Sequence, residues 1–170
     1  MARAAMSRLV TAWIALLVIG APAVLADARK DCFEKSGDIA IRACSEAIQR
    51  NPKDTVSYVN RAFEYVQKGE HAQSIVDYSK AIELDAGRLD AYQGRAWAYL
   101  KTGKAEQGLA DAERALQMKP NDAQALDTRG HIYEALGRRD DAVADFRRAL
   151  AIEPRMQGSR EGLQRLGGKP

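Results

Sequence analysis

Apolar and polar positions alternate along this chain with the spacing of helices. Within residues 55–88 the apolar side chains fall three or four positions apart, first around Tyr58, Ala62 and Tyr65 and then, after Gly69, around Ile75. That spacing predicts two amphipathic helices joined by a glycine turn. The pattern starts again at residue 89 and once more at residue 123. The chain is therefore predicted to contain three consecutive antiparallel helix pairs, at residues 55–88, 89–122 and 123–156.

The three blocks agree position by position. Each has tyrosine at its eleventh position, glycine at its fifteenth and alanine at its twenty-seventh, and two of the three have proline near the end, where it stops a helix. The shared residues are Tyr65, Tyr99 and Tyr133, then Gly69, Gly103 and Gly137, then Ala81, Ala115 and Ala149. Internal repeats of this kind indicate a stacked helical array rather than an enzyme pocket.

At these residues the sequence resembles the tetratricopeptide repeat, whose pattern of aromatic, small, Tyr, Gly, Ala and Pro residues is matched at nearly every position. The clearest stretches are KGEHAQSIVDYSKAIELD and LGRRDDAVADFRRALAIEP. The sequence departs from the pattern at Ala112, where an aromatic residue is usual, and at Ala86, where proline is usual. The resemblance implies an all-α fold, a right-handed superhelical solenoid of antiparallel helix pairs.

Two shorter segments flank the three repeats. Residues 27–54 are predicted to form a partial repeat that keeps the second helix, with a first helix reduced to about residues 28–34. Residues 157–170 are predicted to form a capping helix and tail, with Leu163 and Leu166 turned inward. Ends with a polar outer face cap a solenoid and keep it soluble.

Residues 1–26 have a different character. A basic start with Arg3 and Arg8 precedes an apolar run over residues 9–19, and small residues end at Ala26. This order predicts a signal peptide and therefore export, most simply to the bacterial periplasm. The alternative is an uncleaved inner-membrane anchor with the repeats facing the periplasm, because the uncharged run is about the minimum length for spanning a bilayer.

The charge balance excludes one class of partner. The whole chain has 26 basic and 23 acidic residues, and removing the predicted signal peptide takes away two basic residues and leaves a net charge of about +1. Charges of both signs are interleaved along the predicted helices, with no dense basic patch. Nucleic-acid binding is therefore not expected.

Cys32 and Cys44 are the two cysteines of the chain. In an exported protein an isolated pair is most simply a disulfide. The alternative, a redox or metal site, lacks a CxxC spacing, and His71 and His131 lie in distant repeats. The segment DCFEKSGDIAIRACSEAI also resembles the cysteine-paired N-terminal edges of some exported bacterial repeat proteins.

Arginine recurs at the seventh position of each repeat and aspartate at the twenty-third. We predict an ion pair between the two helices of every repeat, and the alternative is a row of arginines that awaits an anionic ligand. The predicted pairs are Arg61 with Asp77, Arg95 with Asp111, and Arg129 with Asp145.

No motif for catalysis is present. The chain has no GxSxG, GxxxxGK[ST], GxGxxG or HExxH sequence, and the glycines fall at predicted turns and helix contacts. The sequence therefore predicts a protein that is not an enzyme, has no cofactor, metal or small-molecule substrate, and acts through its surface.

In tetratricopeptide proteins one face of each first helix lines a concave groove that holds partner segments. The resemblance places the second, fifth, ninth and twelfth positions of each first helix on that face. These are Val56, Val59, Phe63 and Val66, then Asp90, Gln93, Trp97 and Leu100, then Gln124, Asp127, His131 and Glu134. Val56, Val59 and Phe63 have an alternative placement, packed under the N-terminal partial repeat.

The predicted groove changes from apolar at its N-terminal end to polar and acidic at its C-terminal end. A complementary ligand is an extended or helical segment with an apolar anchor and a basic tail. Some family members bind the C-terminal carboxylates of heat-shock chaperones through a clamp of Lys and Asn, and here Phe63, Trp97 and acidic residues stand in those positions. We expect an adaptor for an unidentified protein or peptide partner. A self-associating structural module is the alternative, and the oligomeric state is left open.

Overall fold

The computed structural model describes residues 21–168, with side chains from Ala28 onward. All regular elements of this part are helices, which confirms the predicted all-α solenoid of helix pairs. They are α1 (Ala21–Glu34), α2 (Gly37–Arg50), α3 (Thr55–Gln67), α4 (His71–Leu84), α5 (Leu89–Lys101), α6 (Ala105–Met118), α7 (Ala123–Ala135), α8 (Arg139–Ile152) and α9 (Gln157–Arg165). Most of the predicted signal peptide lies outside the described residues.

The turn inside each of the three repeats is built on the repeated glycine. Gly69, Gly103 and Gly137 have φ angles of +76°, +74° and +73°, a left-handed conformation that favours glycine because it has no Cβ. The amide of the next residue donates to the carbonyl of the repeated tyrosine, as from Glu70 to Tyr65 at 2.8 Å. This bond satisfies a carbonyl at the end of the first helix and turns the chain into the second.

The helices form two layers. The first helices of successive pairs, α1, α3, α5 and α7, contact one another, and α7 also contacts α9. In the described part of the chain, the second helices α2, α4, α6 and α8 contact only the helices that precede and follow them in sequence. The first helices are therefore drawn together on the inner side of the stack, and the second helices lie further apart on the outer side.

Neighbouring repeats are matched in side-chain size. Tyr78 of α4 packs against Gly94, where an added Cβ would come within 2.2 Å of the ring, and Phe146 of α8 packs in the same way against Gly162 at 2.4 Å. At the equivalent positions of the intervening pair, the small residue Ala112 is combined with the larger Thr128. The departure from the family pattern at Ala112 thus has a compensating residue sixteen positions later.

The N-terminal pair differs from the prediction. Helix α1 is described from Ala21 to Glu34 rather than from near residue 28, so it overlaps the end of the predicted signal peptide. Ala28 is buried, as is Ala62 at the equivalent position of α3, which explains why α1 packs like the other first helices. None of the helices described from Ala21 onward is long and apolar enough to cross a membrane.

A disulfide joins the two helices of this pair. The sulfur atoms of Cys32 in α1 and Cys44 in α2 are bonded, with Cα atoms 4.6 Å apart. Both cysteines are buried and form a small cluster with Ala43. Among the described helices α1 contacts only α2 and α3, so the bond anchors the first helix of the described stack.

Each repeat contains the same buried ion pair between its two helices. Arg95 donates to both carboxylate oxygens of Asp111, at 2.7 and 2.8 Å, and Arg61 with Asp77 and Arg129 with Asp145 have the same two-bond geometry. The hydrogen bond from Arg95 to the Asp111 carboxylate raises the pKa of the guanidinium. The three predicted arginines are thus bound to internal carboxylates.

The ion pairs also connect successive repeats. Arg61 donates from Nη1 to Ser45 Oγ at 2.9 Å, and Arg95 donates to Ser79 Oγ at 3.0 Å, in each case to the helix pair before it. Glu113 stands at the equivalent position before Arg129. Sequence reasoning did not find this link, although the serine or glutamate lies sixteen residues before each arginine.

Candidate partner-binding groove

A cavity of about 530 Å³ opens on the inner layer between α3, α5 and α7. We call it the concave groove. Eight of the twelve predicted groove residues line it: Val59, Phe63, Val66, Asp90, Gln93, Trp97, Gln124 and Asp127. The other lining residues are Asn60, Gln67, Tyr78, Gly94 and Thr128.

The floor of the groove is made partly by a residue of a second helix. Tyr78 of α4 packs in one buried cluster with Val59 of α3 and Ala91 of α5. It has room there because Gly94 carries no side chain. Burial raises the pKa of Tyr78, so its hydroxyl stays neutral. The repeat pattern did not place Tyr78 in the groove, although the absence of a side chain at Gly94, sixteen positions later, indicates that the ring has room there.

Aromatic side chains form the exposed part of the wall. Phe63 is 52% exposed, so it is not packed under the N-terminal pair, and Trp97 is half-buried. The Trp97 ring lies edge-on to His131, with ring centroids 6.1 Å apart. The ammonium group of Lys101 lies 4.5 Å from the Trp97 ring centroid. Val59, in contrast to Phe63, is buried and belongs to the floor.

The polar side of the groove is held by hydrogen bonds from α5 to the start of α7. Gln93 donates from Nε2 to Asp122 Oδ1 at 2.6 Å, and the same oxygen accepts from the Ala125 amide at 3.0 Å. Burial opposes ionisation of Asp122, yet hydrogen bonds from Lys119 and Ala125 outweigh it and hold the pKa of Asp122 below its usual value. This charged cap fixes the start of α7 and, with it, the position of Gln93.

The C-terminal end of the predicted groove is closed by α9. Arg165 donates to both oxygens of Glu134, at 2.8 and 2.7 Å, and its Nη2 lies 3.3 Å from His131 Nδ1. Ser159 donates to Asp127 Oδ1 at 2.6 Å. The Arg165 hydrogen bond holds the pKa of Glu134 below its usual value.

Four predicted groove residues therefore do not line the groove, among them Val56 at the start of α3. His131 and Glu134 do not line the concave groove, because α9 packs over this part of α7. Leu100 packs against the buried cluster that contains Ala96 and Ala112. The repeat length could have indicated this contact. Arg165 lies 34 residues after His131, at the ninth position of a further repeat, so α9 continues the row of first helices.

The lining side chains are suited to binding. They are apolar, aromatic, amide or carboxylate groups, which bury surface and make hydrogen bonds. Within the part of the chain that the structure describes, no three His, Cys, Asp or Glu side chains come together as a set of metal ligands.

Models described as "Tetratricopeptide repeat" match residues 56–88, 89–122 and 123–156, more than half of the chain. The chain belongs to the tetratricopeptide repeat family. A curated relative, Hsp70-Hsp90 organizing protein 2 of Arabidopsis thaliana, is 48% identical over 46 residues. That match covers 27% of this chain and 8% of the relative. The chain thus matches only a small part of that protein.

Solved structures of the family have the same fold. The second tetratricopeptide domain of human RPAP3, in complex with the HSP70 peptide SGPTIEEVD, is 26% identical with a TM-score of 0.62, covering 68% of this chain and 96% of that one. A double mutant of MamA superposes with a TM-score of 0.75 at 15% identity, covering 85% of this chain and 82% of that one. The second match supports the fold alone.

Proposed function

We propose that this protein is a non-enzymatic adaptor that binds a segment of a partner protein in the concave groove. The observation that carries the proposal is the groove itself, open between three first helices and lined by residues that differ from repeat to repeat. Residues that recur in every repeat, such as Arg95 and Asp111, are used in internal contacts. The side chains free to vary are those that determine specificity.

The family likeness supports this class of function. The human RPAP3 domain, which has a similar size and fold, was solved with a peptide bound. An exposed aromatic residue beside a partly buried one is also a common feature of interaction surfaces, since aromatic side chains bury large apolar areas. In this chain Phe63 and Trp97 provide that combination.

We place the adaptor in the cell envelope, most simply in the bacterial periplasm. The basic and apolar character of residues 1–26 supports export, and a buried disulfide is the cysteine state expected in an oxidising compartment. The alternative is an adaptor anchored in the inner membrane through an uncleaved N-terminal segment.

Partner capture tests the adaptor proposal. Wild-type protein, the double variant Phe63→Ala with Trp97→Ala, and the control Val76→Ala are used to capture proteins from an envelope extract. Val76 is 67% exposed on α4 and does not line the groove. We expect a protein captured by the wild type and the control but lost with the double variant, with equal helicity by circular dichroism. Equal capture by all three would show that the groove is not the binding surface.

The mass of the protein recovered from cells tests the location. We expect the envelope fraction to contain a chain that begins at Asp27, because a signal peptidase cuts after small residues such as Ala26. Such a chain lacks the first six residues of α1, and the Cys32–Cys44 bond would hold the remainder in place. A membrane fraction that contains the uncut chain would support the anchored alternative.

A further inference from the structure

The charged residues that line the concave groove are both acidic. Asp90 lies on α5 and Asp127 on α7, and no lysine or arginine is among the lining residues. Arg88 pairs with Asp90 at 2.6 Å, yet the Asp90 side chain remains 52% exposed. Asp127 is largely buried in the groove wall, where it accepts a hydrogen bond from the uncharged Ser159 and lies 3.7 Å from His131 Nε2. Two carboxylates in one concavity favour a cationic group in a ligand.

The adjoining part of the same face already holds a basic side chain. Arg165 of α9 makes two hydrogen bonds with Glu134 and approaches His131, whose ring is edge-on to Trp97. Arg165 is thus bound by the Glu134 carboxylate beside the rings of His131 and Trp97. The concave groove offers a related combination at different repeat positions, since Asp90 and Asp127 line it together with Trp97.

The Trp97 ring is also suited to a cation. Lys101, one turn later on the same helix, places its ammonium group 4.5 Å from the ring centroid. Cations are attracted to the face of an indole ring, and the attraction is strongest where water is excluded. A lysine or arginine of a ligand that enters the groove would meet the carboxylates and would take the place of Lys101 on this ring.

Amide side chains along the groove indicate the backbone conformation of the ligand. Asn60, Gln67, Gln93 and Gln124 all line it. An amide can both donate and accept, so it pairs with the N–H and C=O groups of a peptide. A helical ligand satisfies those groups internally, whereas an extended one needs partners for them.

We infer that the concave groove binds an extended protein segment in which a large apolar or aromatic residue lies next to a lysine or arginine. The apolar residue packs on Val59, Phe63 and Tyr78, and the basic residue faces Asp90 and Asp127. An acidic segment such as SGPTIEEVD, bound by the human RPAP3 domain, would face like charges here. This inference rests on the proposed function, since it specifies the ligand of the same groove.

Selection from short random peptides tests the inference without a known partner. The peptides are displayed and enriched on the full-length protein, after removal of those that bind the Phe63→Ala, Trp97→Ala variant. We expect the enriched peptides to combine an aromatic or large aliphatic residue with an adjacent lysine or arginine. Enriched peptides that are acidic, or that show no preference for basic residues, would overturn the inferred chemistry and leave the groove as a binding site. No enrichment over the variant would contradict the proposed function itself.

Affinity measurements on charge variants test the inferred role of the two carboxylates quantitatively. For an enriched peptide we expect Asp90→Asn with Asp127→Asn to weaken binding by about tenfold, and replacement of the peptide's basic residue by glutamate to weaken it at least as much. Asp140→Asn, on the exposed start of α8, is the matched control and should leave affinity unchanged. Asparagine at 127 can still accept the Ser159 hydrogen bond, and the exposed Asp90→Asn alone is a second variant with little effect on folding. Equal affinity in all variants would overturn the inference.

Discussion

At the scale of single residues, the repeated Arg–Asp pair is the feature whose removal should be most damaging. Asp111 is buried between α5 and α6 and accepts two hydrogen bonds from Arg95, which also donates to Ser79 of the preceding pair. A buried pair adds little net stability when intact, since both charges lose water, but removal of one partner leaves the other uncompensated.

The variant Asp111→Ala should therefore lower the free energy of unfolding by about 3 kcal/mol, because Arg95 is left in a largely buried site without its carboxylate. Denaturant unfolding followed by circular dichroism measures the change. Asp140→Ala removes an exposed carboxylate of α8 and should change the unfolding midpoint very little. If Asp111→Ala were as stable as that control, the ion pair would not have the structural role assigned to it.

The pairing residues and the turn glycines could be read from the sequence because they recur. Arg95 with Asp111, and Gly103 at the turn, each appear at the same position of every block. Tyr78, Ser159 and Arg165 could not be assigned in that way, because their contacts cross from one repeat to the next. A comparison within repeats does not register partners that lie between repeats.

At the scale of helices, the stack depends on what holds its two ends. Within residues 21–168 helix α1 contacts only α2 and α3, and the disulfide joins it to α2. Helix α9 is held by buried Leu163 and by polar contacts from Ser159 and Arg165 to α7. The two ends therefore respond to different conditions, one to reduction and the other to pH.

Removal of the disulfide should loosen α1 selectively. Cys32→Ser with Cys44→Ser should lower stability by about 3 kcal/mol in the chain-entropy view, because the unfolded chain regains the freedom of a short closed loop. Hydrogen exchange should become faster in α1 and the start of α2 and stay unchanged in α5 to α8. Uniform acceleration through the whole chain would mean that the bond stabilises the solenoid as one unit.

The contact between α9 and α7 should weaken in acid. Arg165 lowers the pKa of Glu134 in the folded state, so this pair stabilises the docked helix at pH values above the ordinary glutamate pKa. The contribution is lost as the pH falls through the lower, folded-state value. Amide NMR signals of Gly162 and Leu163 should shift over this interval, and Glu134→Gln should remove that transition. A transition retained in the variant would assign it to another group.

The packing of Tyr78 against Gly94 predicts that the two positions are energetically coupled. Gly94→Ala should destabilise the chain, because the new Cβ would lie 2.2 Å from the Tyr78 ring. The second change Tyr78→Ala should restore part of the loss in that background, since the combination then resembles the one at Ala112 and Thr128. Thermal unfolding of the two single variants and the double variant measures this coupling, and strict additivity would contradict it.

At the scale of the whole molecule, the repeat length explains both the solenoid predicted from the sequence and the cavity lined by most of the predicted groove residues. A repeat length fixes which residues of successive helices lie in line, so one face can be traced from Val59 to Gln93 and Asp127. The ends of that face could not be predicted in the same way. Whether His131 and Glu134 are open depends on how α9 docks, and the length of α1 was hidden by the apolar character of residues 1–26.

The central claim is that the concave groove is the surface that contacts the partner. Photo-cross-linking in cells tests it most directly, with a photoreactive residue placed singly at positions 63, 97 and 124 in the groove and at 76 and 144 on the outer helices. We expect a cross-linked partner band from the three groove positions and none from the two outer positions. A band confined to positions 76 and 144, or cross-links that join only copies of this chain, would contradict it.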